Sequence, residues 1–229
     1  MMTEQCGGAT VAVMAKAPMV GAVKTRLVPA LGAVDAVDLC RCMLLDTLDL
    51  VRGVAAARAL AFAPAEARPW FAETAPDFGL IPQTGRDLGE RMAAVFTTLF
   101  AGGAGPVVLV GADAPTLPSD FITQALAALQ VGGADVALVP VEDGGYCLVG
   151  LAAPQPALFA GIPWSTAEVL TRTLCRASAL RLRTVTLPSW WDVDTPADVR
   201  RLADHVAAGP ARHSREFLAA RTRAGQAVC

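Results

Sequence analysis

Residues 107–118 read VVLVGADAPTLP, four consecutive apolar residues that run straight into Gly-Ala-Asp-Ala-Pro. A short Val/Leu run closed by glycine and proline is the pattern of a strand buried on both faces, as in a parallel sheet covered by helices. Asp113 then falls at the carboxyl end of a central strand, the edge at which such sheets bind ligands. A carboxylate held rigidly there suits a hard divalent cation, Mg²⁺ or Mn²⁺, that bridges nucleotide phosphates. Capping of the turn before Pro115 is the competing role for the same residue.

Outward from this stretch, short runs rich in Val, Leu and Ala alternate with longer amphipathic segments. Strands are expected at 10–15, 57–63, 79–83, 106–112, 134–141, 146–151 and 182–187, and helices at about 34–53, 87–101, 118–130, 166–177, 196–207 and 211–224. Asp87, Ser119 after a proline, and Thr195 before Pro196 supply helix-start chemistry. The alternation predicts an α/β fold, a mixed, mostly parallel sheet with helices on both faces. The polar segment with Pro163, Trp164, Ser165 and Thr166 breaks the regular β-α order between the sixth and seventh strands. With no repeat, linker or charge block, residues 1–229 are expected to form one domain, its core about 10–207 followed by a helix at about 211–224.

Composition excludes several classes. The chain has 229 residues, 54% of them apolar, and a formal net charge of −2. No basic stripe marks a nucleic-acid surface, and no run reaches the length of a membrane span. The N-terminal MMTEQCGGAT lacks the basic and apolar regions of a secretory signal, so a cytoplasmic location is expected. The six cysteines (Cys6, Cys40, Cys42, Cys147, Cys175 and Cys229) form no paired metal spacing and read as ordinary thiols; Cys40 and Cys42, two apart on a helix, face different sides.

Four further stretches carry chemistry. The only two lysines, Lys16 and Lys24, lie in the loop after the first strand, AKAPMVGAVKTRL, with Gly21, Thr25 and Arg26. One glycine and three cations at that edge suit phosphates, although the loop is neither a Walker A nor a G-x-G-x-x-G motif. QTGRDLGERM (83–92) sets Gln83 beside Gly85, Asp87 and Gly89; an amide that both donates and accepts suits a nucleobase edge, and a simple turn with a capped helix is the alternative. In VPVEDGGYCLVG (139–150), Glu142 and Asp143 are candidate bases and Gly144-Gly145 permits close approach to a bound group, while an ordinary Asp-Gly hairpin fits the same residues. In SWWDVDTPADV (189–199), Asp192 and Asp194 point to one side if extended and could share a cation, unless one caps the following helix.

Taken in order, the stretches AKAP…G·VKTRL, DLGERM, EDGGY·L·GL, IPWST and WDVDTP resemble the nucleotide-diphospho-sugar transferase (GT-A) superfamily. Within it they resemble the bacterial DUF2064 family of arsenosugar-biosynthesis-type, radical-SAM/selenodomain-associated glycosyltransferases, from about Val11 to Arg201. The resemblance implies a Rossmann-like GT-A fold and a metal-dependent glycosyltransferase that takes a nucleotide sugar and a small-molecule acceptor. It also implies that Lys16, Lys24 and Arg26 contact phosphates, that Gln83 to Gly89 border the base, and that Asp113 holds Mg²⁺ or Mn²⁺ with Asp192 or Asp194. Gly144 and Gly145, with Trp164 and Ser165, would border the transferred group. The superfamily's Asp-x-Asp is reduced here to Asp113-Ala114-Pro115, Val20 stands where a proline is expected, and Cys147 where a second aromatic is common.

In the implied reaction Asp113 and Lys24 stabilise a diphosphate leaving group, and Glu142 or Asp143 deprotonates the acceptor hydroxyl. Two other readings stay open. One is a nucleotidyltransferase joining a nucleoside triphosphate to a phosphorylated acid, which needs no base because its nucleophile is already anionic. The other is a catalytically degenerate nucleotide-binding or interaction module.

Overall fold

The computed structural model describes residues 8–130, 132–207 and 209–225; Cys6 and Cys229, noted above, lie outside them. Its seven strands are β1 (Thr10–Lys16), β2 (Ala57–Ala63), β3 (Gly79–Pro82), β4 (Val107–Gly111), β5 (Val136–Pro140), β6 (Tyr146–Leu151) and β7 (Thr184–Thr186). They form one sheet in the order β3-β2-β1-β4-β6-β5-β7. From β1 the chain steps outward to β2 and β3, then returns to lay β4 on the other side of β1, parallel to it, with Met14 opposite Gly111. That reversal opens a crevice beyond the carboxyl ends of β1 and β4, the position where open α/β sheets bind ligands.

Side chains alternate across the pleat, and both faces are buried. Val11, Val13, Val108 and Val110 face one apolar cluster, and Ala12, Val107 and Leu109 the other. Helices α1 (Val28–Leu31), α2 (Ala33–Arg52), α3 (Arg68–Thr74), α4 (Leu88–Ala101), α5 (Ser119–Gln130), α6 (Val169–Ala179), α7 (Pro196–Val206) and α8 (Arg212–Arg223) cover the sheet and its flank. The first face is closed by Leu44 and Leu48 of α2 and by Ile122 and Leu126 of α5; the second by Met92, Val95 and Phe96 of α4 and by Ala177 of α6. A third cluster packs α7 and α8 against the outer side of α2 through Leu39, Met43, Val199, Leu202 and Leu218.

The expected α/β architecture and its seven strands are present, with boundaries within about two residues. The antiparallel member is β6, which pairs with β4 on one side and β5 on the other. The hairpin reading of residues 142–145 therefore holds, and β7 returns parallel to β5. Two short helices were not anticipated. α1 carries Pro29 and α3 carries Pro69 in the first turn, where a fixed φ favours helix entry even in a segment too short to show a period. Among the described residues no helix is long and apolar enough to cross a membrane.

Candidate active site

An open cleft of about 540 Å³ lies at the switch point. Lys16 lines it from the end of β1, Lys24, Thr25 and Arg26 from the following loop, Gln83 from the end of β3, Asp113 from the end of β4, and Asp192 and Asp194 from the segment before α7. These elements are far apart in sequence and meet because parallel strands all end at one edge.

The geometry centres on Lys24. Its ammonium lies 2.7 Å from Asp113 Oδ1, 2.7 Å from Asp194 Oδ1 and 2.6 Å from the Val193 carbonyl, so all three N–H donors are used. The side chain is only 6% exposed. Burial alone would favour a neutral amine, but the charges of Asp113 and Asp194 outweigh it and raise the pKa, so Lys24 stays protonated. The backbone at Lys24 is left-handed, φ +47°, a conformation that costs an L-residue about 1 kcal/mol or more and persists where surrounding contacts hold it. The two carboxylates are brought together by the backbone: Val193 N–H donates to the Asp113 carbonyl at 2.9 Å.

Lys24 is not a free cation of the loop in this state; it is the bridge between Asp113 and Asp194. Lys16, Thr25 and Arg26 are exposed along the same cleft, and Lys16 has no ion-pair partner among the described residues. Asp192 completes the acidic side. Burial, then the charges of Asp194, Asp143 and Asp113, push its carboxyl up to about 6. Two of these carboxylates, Asp113 and Asp194, share the Lys24 ammonium, and Asp192 lies within reach of their charge.

Neither Asp192 nor Asp194 caps α7. Thr195 does so, accepting from Asp198 N–H, while the Asp198 carboxylate accepts from Thr195 N–H at 2.7 Å. Both aspartates are left to the cleft. Among the described residues no group of three or more His, Cys, Asp or Glu side chains is arranged to hold a metal by itself. A nucleotide-borne Mg²⁺ asks for less, one or two carboxylates with phosphate oxygens completing its shell. Asp113 and Asp194, with side chains 54% and 39% exposed, fit that requirement.

Gln83 lines the cleft with its amide oriented by the backbone. Its Nε2 donates to the carbonyls of Ala15 at 3.0 Å and Ala61 at 2.8 Å. Both donors are spent, so only Oε1 remains to meet a ligand, which narrows the two-way reading expected from sequence.

Other candidates have structural work. Asp87 caps α4, accepting from Glu90 N–H at 2.8 Å. Gly85, at φ +137°, is pressed on the backbone of residues 90 and 91. Gly89 is buried beneath the Trp164 indole, so neither lies open to a base, and Trp164 and Ser165 are outside the cleft lining. Gly144 is packed on the Ala167 carbonyl and accepts from Leu170 N–H, pinning the hairpin to α6. Glu142 is held by Arg201 in a two-point ion pair at 2.7 and 3.0 Å, away from the cleft lining. Of the two proposed bases only Asp143 stands near the acidic group, although it too lies outside the cleft lining; its Oδ1 accepts from Gly145 N–H. Gly21, although positive in φ, has open space around it. Cys40, Tyr146 and Leu88 line the cleft without having been singled out. For Cys40 the available signal was helical spacing: it lies one turn before Leu44, which lines the same wall.

The family model described as "Uncharacterized protein conserved in bacteria (DUF2064)" matches residues 47–166. Among curated proteins none matches. A protein of known structure from Desulfovibrio desulfuricans G20, assigned as a candidate nucleotide-diphospho-sugar transferase, is 31% identical; the match covers 94% of this chain and 97% of that one, with a TM-score of 0.85. CMP:2-keto-3-deoxy-manno-octonic acid synthetase, solved with CTP, is 13% identical over 87% of this chain and 98% of its own, with a TM-score of 0.58. Rv0371c of Mycobacterium tuberculosis H37Rv, solved with manganese, is 17% identical over 87% and 99%, with a TM-score of 0.56. The last two share the fold. With a family model matched over more than half its length and a 31% identical relative spanning nearly all of it, the chain belongs to the bacterial DUF2064 family.

Proposed function

We propose that this protein is a glycosyltransferase that uses a nucleotide sugar, with Mg²⁺ or Mn²⁺, and transfers the sugar to a small-molecule acceptor. The observation that carries the reading is the two-sided cleft: Lys16, Thr25 and Arg26 from one loop, Asp113, Asp192 and Asp194 from the opposite strand ends. Its volume suits a ligand of nucleotide size. The 31% identical relative assigned as a candidate nucleotide-diphospho-sugar transferase supports the choice of donor, and the manganese on Rv0371c and the CTP on the octonic acid synthetase support a metal–nucleotide ligand.

In this reading Lys16 and Arg26 hold the diphosphate oxygens. The acceptor hydroxyl attacks the anomeric carbon, its proton passes to the Asp143 carboxylate, and the bond from that carbon to the diphosphate oxygen breaks, releasing a nucleoside diphosphate. Fixed cations at the leaving group supply stabilisation as its charge grows. A divalent cation held by Asp113 with Asp192 or Asp194 would add Lewis-acid stabilisation at the same oxygens. Gln83 Oε1 offers a nucleobase one acceptor. The proposal places this reaction in the cytoplasm.

One observation favours nucleotidyl transfer as a second reading: the Arg201 ion pair removes Glu142 as a base, and nucleotidyl transfer to a phosphate needs none. Stabilisation against heat by nucleotides with Mg²⁺ or Mn²⁺ tests the shared premise, since a ligand that binds only the native state raises the melting temperature. Product analysis separates the two. Nucleoside diphosphate from a nucleotide sugar supports glycosyl transfer; pyrophosphate from a nucleoside triphosphate and a phosphorylated acid replaces it with the second reading.

A further inference from the structure

We propose that Lys24 is an internal competitor for the cation of this site: its ammonium occupies the place of a divalent metal between Asp113 and Asp194, so that metal alone displaces it only weakly and metal arriving with nucleotide phosphates displaces it readily. The inference rests on the metal–nucleotide reading above and concerns the order in which that site fills.

The argument is geometric. Asp113 Oδ1 and Asp194 Oδ1 each lie 2.7 Å from one nitrogen, so the inner oxygens of the pair already converge on a cation. The ammonium has no spare donor, because its third N–H is given to the Val193 carbonyl. A metal drawing on the same two oxygens would stand within contact distance of a buried positive charge, and like charges at that range repel strongly where water is excluded. Metal and ammonium therefore exclude each other.

Charge sets the direction of the exchange. With Lys24 in place the two carboxylates carry a net charge of −1; without it they carry −2, and a dication gains correspondingly more from them. A displaced ammonium needs a new anion, and the exposed acidic residues nearby are the ones the metal takes. The phosphates of an incoming nucleotide are the other source. Lys24 is itself left-handed, φ +47°, a backbone held by its contacts, and the loop that leads into it is exposed at Met19, Val20 and Gly21, so part of the segment that must shift already lies in solvent. Metal without nucleotide then binds weakly, and metal with nucleotide binds together.

The test measures Mn²⁺ binding to the nucleotide-free full-length protein by the electron paramagnetic resonance signal of free Mn²⁺. K24M should bind Mn²⁺ roughly tenfold or more tightly than the wild type, because it restores a −2 pair, and K24R should bind as weakly as the wild type. Equal or weaker binding by K24M overturns the proposal. Should K24M fail to fold, the wild type gives the answer through reductive methylation, since its only side-chain amines are Lys16 and Lys24. With Mn²⁺ raised until the resonance shows it bound, Lys24 should be methylated several-fold faster than without metal while Lys16 is unchanged; a Lys24 rate unaffected by bound Mn²⁺ overturns the proposal. Neither measurement contains a nucleotide. A protein that fails the nucleotide stabilisation test loses the transferase reading on separate grounds.

Discussion

Gly89 lies directly beneath the indole of Trp164: a Cβ built on the glycine would meet the ring at 2.6 Å and the Phe159 carbonyl at 2.8 Å. The ring in turn stands edge-on to Tyr146, 6.5 Å between centroids. One packed volume is thus shared by α4, the 156–164 segment and β6. Gly89→Ala should destabilise by about 1–3 kcal/mol through overpacking, a fall of several degrees in melting temperature for a chain of this length. Tryptophan fluorescence should shift with it. A variant with unchanged melting and emission but lost nucleotide binding would return Gly89 to the cleft.

Lys16→Ala should weaken nucleotide affinity by roughly 10- to 100-fold, the loss of a charge-assisted phosphate contact, and leave the melting temperature within about a degree, because Lys16 is exposed and has no ion pair among the described residues. Isothermal titration and thermal unfolding on the same preparation check both halves.

Asp87→Ala should cost about 1 kcal/mol of stability, as loss of an N-cap does, with nucleotide affinity unchanged. Asp87→Asn, which keeps a capping oxygen, should recover most of that. A fall in affinity without a fall in stability would reinstate Asp87 as a nucleotide contact.

The Asp192 carboxyl gives a pH signature. Its pKa in the folded chain is about 6, above the ordinary 3.8, because of burial and then Asp194, Asp143 and Asp113. The folded state therefore holds a proton between pH 3.8 and 6 that the unfolded chain releases, so this group's contribution to stability is full below about 4 and is lost as pH rises through 6. After allowance for solvent screening at a part-buried group the contribution is about 1 kcal/mol. Denaturant melts in chelator at pH 5 and pH 7 should show the wild type losing this increment relative to Asp192→Asn. No difference between the two slopes would place Asp192 outside the acidic group.

The sheet was legible because Val13, Val108, Val110 and their neighbours form short apolar runs closed by Gly or Pro, a signal that depends only on residues next to each other. The location of the site was legible for the same reason, since a strand end names its edge. What each residue does there was not. The partnership of Lys24 with Asp113 and Asp194 is set by which strands neighbour one another, and no local pattern carries that. Trp164 is placed beside the transferred group by the family resemblance alone, and its packing on Gly89, 75 residues earlier, has no local signal. Glu142 and Asp143 are adjacent and chemically alike, and Arg201, 59 residues on, separates their roles. Asp87 and Thr195, by contrast, were legible as helix starts, because a cap and its amide lie three residues apart.

Lys24 and Asp194 stand 170 positions apart along the chain. At roughly 5–20 residues per second, a ribosome places about 10–30 s between the two. For that interval the nascent chain carries the basic loop, joined about half-way by Asp113, without the second carboxylate that closes on Lys24, and any fragment ending before Asp192 keeps only Asp113 of the acidic side. Synthesis through Asp194 is therefore the event that brings the basic and acidic sides of this cleft together.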